Sequence, residues 1–255
     1  MKITRIQKIR DLLTEKNSIS IPELCEQFNV SKNTIRRDIA ELDKEGFIRK
    51  VYGGIMLKNV NNDKPLEPFT ARENRNIDAK KAIARLAVSQ IKEGDVVYID
   101  SGTTTMHMVP LLAKIAHITI LTASIHVINT ATEYPGLNVI AVGGSLYAPT
   151  KSFVGPNVID CLKKYNISKV FLSCTGLSLE HGATNGSQLE NEIKHFLASQ
   201  ICPKYLLADH SKFDAVSLMT YCPLEQLDYI ITDIMPAAKY CNYCNQHNVR
   251  LLITQ

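Results

Sequence analysis

Apolar positions in the first 46 residues recur at helical intervals. Ile6, Ile9, Leu12 and Leu13 follow i, i+3, i+6, i+7 spacing and predict a helix with one buried face. Ser20-Ile21-Pro22-Glu23 reads as a capping box opening a second helix, whose apolar face is Leu24 and Phe28. Asn29-Val30-Ser31 reads as a three-residue turn, with Ser31 as the cap of a third helix. There Ile35, Ile39 and Leu42 point one way, while Lys32, Asn33, Arg36 and Arg37 lie towards the other side. Gly46 suits a left-handed helix end. Residues 47–55, FIRKVYGGI, then alternate in the manner of two short strands around a glycine pair.

The pattern changes beyond residue 80. Continuous apolar runs, Val96–Ile99, Ile118–Leu121, Val139–Val142, Val170–Leu172, Tyr205–Ala208, Tyr229–Ile231 and Leu251–Ile253, predict strands buried on both faces. Helical patterns over 80–91, 188–200 and 236–247 fall between them. The expectation is an α/β body with a mostly parallel sheet. Residues 58–74 are polar, lack periodicity and hold Pro65 and Pro68, which reads as a linker. The expected organisation is residues 1–57, a linker at 58–74, and residues 75–255.

Composition sharpens this division. The chain has 255 residues, 45% of them hydrophobic and 21% charged, with a net charge of +4, which suits globular domains and excludes wholly disordered or fibrous classes. The first 58 residues carry 12 Lys and Arg against 8 Asp and Glu, and the remainder carries 17 of each. All the net charge therefore sits in the small helical module, as expected for a polyanion-binding unit on a neutral body. No apolar run approaches the roughly 18–20 residues of a membrane span, and the N-terminus lacks a signal-peptide core. Seven scattered cysteines suit reduced thiols, so a cytoplasmic protein is expected. Cys241, Cys244 and His247 supply only three local ligands where a structural zinc site usually needs four, so no metal and no cofactor is expected.

Two helices across a short turn, the second with a basic and amide outer face, form a helix-turn-helix. Such a helix fits the major groove of operator DNA, where Arg pairs with guanine and Asn with adenine. Ser31, Lys32, Asn33, Thr34, Arg36 and Arg37 are the candidate contacts, with Arg49 and Lys50 of the wing touching phosphate. The run Ser31-Lys32-Asn33-Thr34-Ile35-Arg36-Arg37-Asp38-Ile39, followed by Leu42, Gly46 and Val51-Tyr52-Gly53-Gly54, resembles the signature of the DeoR family of bacterial transcription regulators. The resemblance continues through Phe69, Arg72 and the helix near Lys80.

Polar clusters stand at the predicted strand ends, where parallel sheets bind ligands. They are Asp100-Ser101-Gly102-Thr103-Thr104-Thr105, Gly143-Gly144, Thr175-Gly176, and Asp209-His210-Ser211-Lys212. Each alone has a plain use as turn, cap or solvated loop. Together they favour an anionic polyol, with hydroxyls and amides holding phosphate, Lys212 adding charge and Asp209 accepting from a sugar hydroxyl. The motifs at 100–105 and 208–213 are similar to those of the DeoR family's second domain. That resemblance implies a fold like ribose-5-phosphate isomerase and a phosphorylated sugar or polyol as effector. Thr122-Ala123-Ser124 departs from the Thr-Asn-Ser common in the family and removes an amide that would reach the ligand. Ser152–Gly155, Tyr165–Ile167, His181–Asn185 and Tyr243–His247 resemble regulators of inositol catabolism within the family.

The resulting expectation is a non-enzymatic repressor, acting as a dimer or tetramer because paired half-sites need paired modules. A sugar-phosphate isomerase is the rival reading, with Asp100, Glu190 and Asp209 as bases by residue type, and an activator of the same family is another.

Overall fold

A computed structural model describes residues 2–16, 18–51, 54–57 and 69–254. The chain divides into two compact units, Met1–Lys64 and Pro65–Gln255.

In the first unit, α1 (Lys2–Lys16), β1 (Ser18–Ser20), α2 (Ile21–Phe28) and α3 (Lys32–Lys44) precede β2 (Ile48–Val51) and β3 (Gly54–Leu57). Ile9, Leu13, Leu24, Ile35, Ile39 and Leu42 meet in one core, as their spacing requires. The turn between α2 and α3 is closed by Asn29 at φ 48°, a left-handed conformation that Asn tolerates. The Ser31 hydroxyl caps α3 by accepting from Thr34 N at 3.3 Å. Gly46, at φ 68°, ends it. β2 pairs antiparallel with β3 as the expected wing, and β1, which no sequence pattern announces, adds a third strand on β3. Ile19 and Ile55 face each other across that added pair and are both buried. The Ser20 side chain of the expected capping box, and Tyr52-Gly53 of the wing, lie outside the described residues.

The second unit opens with α4 (Phe69–Glu73) and α5 (Ile77–Val88). The expected linker is thus corrected at its end. Residues 58–68, with Pro65 and Pro68, lie outside the described residues, but 69–73 are helical, because Phe69 is buried in a stack on His126 with ring centroids 3.6 Å apart. There follow β4 (Val96–Ile99), a 3-10 turn (Thr105–Met108) running into α6 (Val109–Leu112), β5 (Thr119–Thr122), α7 (Ile125–Ala131) and β6 (Asn138–Ala141). A hairpin of β7 (Ser145–Tyr147) and β8 (Ser152–Val154) leads to α8 (Pro156–Leu162) and β9 (Lys169–Ser173). Then come β10 (Gly176–Ser178), β11 (Gly182–Asn185), α9 (Gln188–Ala198) and β12 (Lys204–Leu207). A 3-10 turn (His210–Lys212), β13 (Met219–Cys222), β14 (Tyr229–Thr232), α10 (Ala238–Gln246) and β15 (Arg250–Ile253) complete the unit.

Seven strands form one sheet in the order β15-β14-β12-β9-β4-β5-β6, every pair of them parallel. The apolar runs read from sequence are these strands. β4, β5, β9, β12 and β14 are buried as expected. β6 departs from the expectation: it is partly exposed because, among the described residues, it is an edge with no strand beyond it. The chain leaves β4 towards β5 and β6, then returns to lay down β9, β12, β14 and β15 on the other side. The switch point, where such sheets bind ligands, therefore lies between β4 and β9. A small antiparallel sheet, β10-β11-β13, stands beside it.

Candidate functional site

Two surfaces carry chemistry, one on each unit. On the first, Ser31, Lys32, Asn33, Arg36 and Arg37 are exposed along α3, while Ile35 and Asp38 on its inner side are buried. Asp38 is held by Arg5 of α1, Nε to Oδ2 at 2.5 Å and Nη2 to Oδ1 at 3.1 Å. This forked pair fixes how α3 lies on α1. Thr34 is half-buried and donates its backbone N–H to Ser31, so these two build the helix start as well as standing on its face. Lys50 pairs with Asp43 at 2.7 Å, with both side chains largely exposed. The Arg49 side chain lies outside the described residues.

On the second unit, the loop after β4 meets the end of β9 at the switch point. Asp100 is buried and accepts from Ser173 N at 2.9 Å, from Ser173 Oγ at 2.5 Å, and from the Lys194 ammonium. Lys194 also donates to the Ser173 carbonyl at 2.8 Å. Burial alone would raise the Asp100 carboxyl, but Lys194 and the Ser173 donors outweigh it and hold it below the ordinary value. One turn back along α9, Glu190 Oε1 accepts from Ser101 Oγ at 2.8 Å and from Ser152 Oγ at 2.9 Å. A β-carbon on Gly102 would lie 2.3 Å from Ser173 Oγ, so only glycine lets the loop close on β9. Thr105 Oγ1 lies 2.7 Å from the Asp100 carbonyl and 2.9 Å from that of Gly102, which commits it to the turn. Thr103 and Thr104 are buried beside it.

Ser101, Gly102, Glu190 and Lys194 line a small open cleft that Arg72, Ser173, Cys174, Thr175 and Asn185 complete. A neighbouring recess shares Ser101, Glu190 and Lys194 and adds Tyr98, Asp100, Ser152 and Ala123. The position where an Asn is common in the resembled family thus faces the site.

Asp209 caps the 3-10 turn after β12, accepting from Ser211 N at 3.0 Å and from Asn76 Nδ2 at 3.0 Å. Burial pushes its carboxyl up, yet Ser211, Lys212 and Asn76 hold it below the ordinary value. Around it, Lys80, Lys212, Arg72 and Arg75 concentrate positive charge, and burial plus this crowd brings the Lys80 ammonium down to about 8 against the pull of Asp209. Cys174 lies between the two clusters, within the fields of Lys212, Lys194, Asp209 and Asp100, with its thiol driven up by burial to about 12. It is a buried small residue.

The structure thus gathers Asp100 to Thr105, Thr175, Asp209 and Lys212 at neighbouring strand ends. Gly143 and Gly144 stand apart. Neither lines the cleft, and Gly144 is pressed against Val154 and Val158, a packing reason for its missing side chain. Gly176 is likewise packed on the Ala215 carbonyl. Sequence reasoning does not assign Arg72, Asn76, Lys80, Ser173, Asn185 or Lys194 to the site. Glu190 and Lys194 have a readable signal, since charged residues at i and i+4 share one face of α9. Cys241 and Cys244 belong to α10, where Cys244 is buried and His247 stacks on Tyr243.

Residues 5–60 match the DeoR-like helix-turn-helix domain and residues 75–234 match the DeoR C terminal sensor domain. The chain belongs to the DeoR family. It is similar to the HTH-type transcriptional regulator IolR of Bacillus subtilis (strain 168), with 42% identity over 98% of each chain. It is also similar to the HTH-type transcriptional repressor GlcR of the same strain, with 30% identity over 98% of this chain and 96% of that one. Ribose 5-phosphate isomerase A from Methanocaldococcus jannaschii aligns with a TM-score of 0.40 and 16% identity, covering 54% of this chain and 55% of that one. DeoR-family membership decides between the readings of the sequence: the chain is a DNA-binding transcription regulator rather than an isomerase. Its first unit carries the helix-turn-helix and its second the family's sensor domain. Among the described residues, no helix is long and apolar enough to cross a membrane.

Proposed function

We propose that this DeoR-family chain represses an operon for carbohydrate or polyol breakdown and leaves its operator when a phosphorylated sugar or polyol fills the cleft. The observation that carries this reading is the switch-point cleft itself. Hydroxyl, amide and carboxylate groups suited to a polyol stand beside a concentration of lysine and arginine suited to a phosphate. The exposed residues of α3 and the wing supply the operator contacts, acting in the cytoplasm as a dimer or tetramer. Identity to IolR, with the motifs read from sequence, puts an inositol-derived phosphate first among candidate effectors.

The effector must prefer the conformation that binds DNA poorly, and the release equals that difference in affinity. The test is fluorescence anisotropy on DNA from upstream of the protein's own operon at fixed salt, with sugar and inositol phosphates added in turn. Specific binding released by one phosphate is the expected result. Binding indifferent to DNA sequence, or to every phosphate, overturns the corresponding half. Tighter binding on adding a phosphate, with increased transcription, would make the protein an activator.

A further inference from the structure

The walls of the cleft differ in what holds them. Ser101 of the loop after β4 is tied to Glu190 of α9, and Ser173 of β9 and Lys194 of α9 are tied to each other through Asp100. The Lys194 ammonium is already satisfied by Asp100 and the Ser173 carbonyl. Arg72 comes from elsewhere. It belongs to α4, the first described element after the DNA-binding unit.

That short helix is seated at both ends. Phe69 stacks on His126 with its rings 11° from parallel. Lys80 reaches back from α5 and donates to the Arg72 carbonyl. Between α4 and α5, Asn76 adopts a left-handed conformation at φ 52° and leaves the helix start uncapped by its side chain, which instead donates to Asp209. The segment from 69 to 80 therefore brings Arg72 into the lining of the cleft and binds Asp209 through Asn76, with local backbone cost accepted at Asn76.

We propose that Arg72 grips the anionic group of the cleft's ligand, and that α4 transmits this engagement to the chain leading into the DNA-binding unit. This rests on the reading of the cleft as the effector site. The guanidinium fork matches two phosphate oxygens at once, which a lysine ammonium does not. Its carbonyl is held by Lys80, which itself lies in the charge cluster around Asp209. An anion therefore acts on both ends of the same residue. A ligand held only by the sheet would have no such route to α4.

Two variants separate grip from transmission. Ligand binding is followed by calorimetry with glucose 6-phosphate, fructose 6-phosphate, an inositol monophosphate and inorganic phosphate. DNA release is followed by anisotropy, and circular dichroism confirms folding. Arg72→Ala is expected to weaken binding of the releasing phosphate by about tenfold or more, the loss of a charged hydrogen-bonding partner, with Arg72→Lys recovering part. Phe69→Ala, which removes the stack on His126 and a ring 5.8 Å from the Arg72 guanidinium, is expected to weaken phosphate binding less than Arg72→Ala does, yet to release DNA about tenfold less once saturated. Unchanged affinity in Arg72→Ala overturns the grip, and wild-type release in Phe69→Ala overturns the transmission, while the effector reading survives both. A wild-type protein that binds none of the phosphates overturns the effector reading itself.

Discussion

Lys194 and Asp100 form an ion pair at the switch point of the sheet, with each side chain only 4% exposed. Removing one member of such a pair leaves a buried charge without compensation. Lys194→Met is expected to destabilise the sensor unit by ~3–5 kcal/mol, measured by urea denaturation. The double variant Lys194→Met, Asp100→Asn should recover much of that loss. A single variant as stable as the wild type would show that the pair lies in a wetter place than its burial indicates. Asp100 is held below its ordinary value of 3.8, so its contribution is present above that pH and is lost as the pH falls through the folded value. The acid limb of the stability profile should flatten in the double variant.

Gly102 and Gly143 offer a matched pair of alanine substitutions. A β-carbon on Gly102 meets Ser173 at 2.3 Å, whereas one on Gly143 meets nothing within 4 Å. Gly102→Ala should cost ~1–3 kcal/mol and blunt the response to effector, because the Ser101–Thr105 turn must lift from β9. Gly143→Ala should match the wild type in both melting temperature and effector response. Loss of response in Gly143→Ala would return that glycine pair to the binding site.

Arg36 and Arg37 are exposed on α3, so replacing both with alanine should leave the thermal midpoint in place while abolishing specific operator binding. The slope of log affinity against log salt should become shallower by about 0.9 for each phosphate that the arginines neutralise. Asp38→Ala should act differently. It strips Arg5 of its buried partner, so it should lower the stability of the helix-turn-helix and DNA binding together. Retention of full binding by the double arginine variant would move the reading surface off α3.

Lys80 gives the binding reaction a proton signature. Its ammonium is brought down to about 8 chiefly by burial, and the chain unfolded would hold that proton up to its ordinary 10.5. Stability therefore rises with pH between those values, because the unfolded state binds more protons there. An anion placed beside Lys80 stabilises the charged form, so binding near pH 8 should take up protons. Calorimetry in two buffers of different ionisation enthalpy measures this uptake. No difference between buffers would place the anion away from Lys80.

The helix-turn-helix is legible in the sequence because its determinants are local. Helical spacing, the Ser31 cap and Gly46 each act within one or two turns of chain. The seven core strands are legible for a similar reason, since strands buried on both faces must be continuously apolar. Three-residue strands such as β1, β7 and β10 carry no such run and escape detection. At the cleft, sequence reveals the loops that follow strands but not the groups that reach them from afar. Lys194 meets Asp100 across 94 positions and Asn76 meets Asp209 across 133, and no local pattern encodes such partners. Gly144 poses the opposite difficulty, because a glycine pressed against Val154 and Val158 looks in sequence like one reserved for a ligand.

The meeting of β4 with β9 also sets an order in time. Asp100 and Ser173 are 73 positions apart, and the strands on either side of their seam come from different stretches of chain. Contacts of such separation form late, once each half of the sheet has gathered its own neighbours. The crevice is therefore expected to form late in the sensor unit, while the Arg5–Asp38 pair that braces the helix-turn-helix spans only 33 positions. A newly made molecule is then expected to pass through a stage with the helix-turn-helix formed and the crevice not yet formed, which pulsed hydrogen exchange on refolding would detect. Lesions that stall the sheet at that stage should surface in a genetic screen as dominant, uninducible alleles.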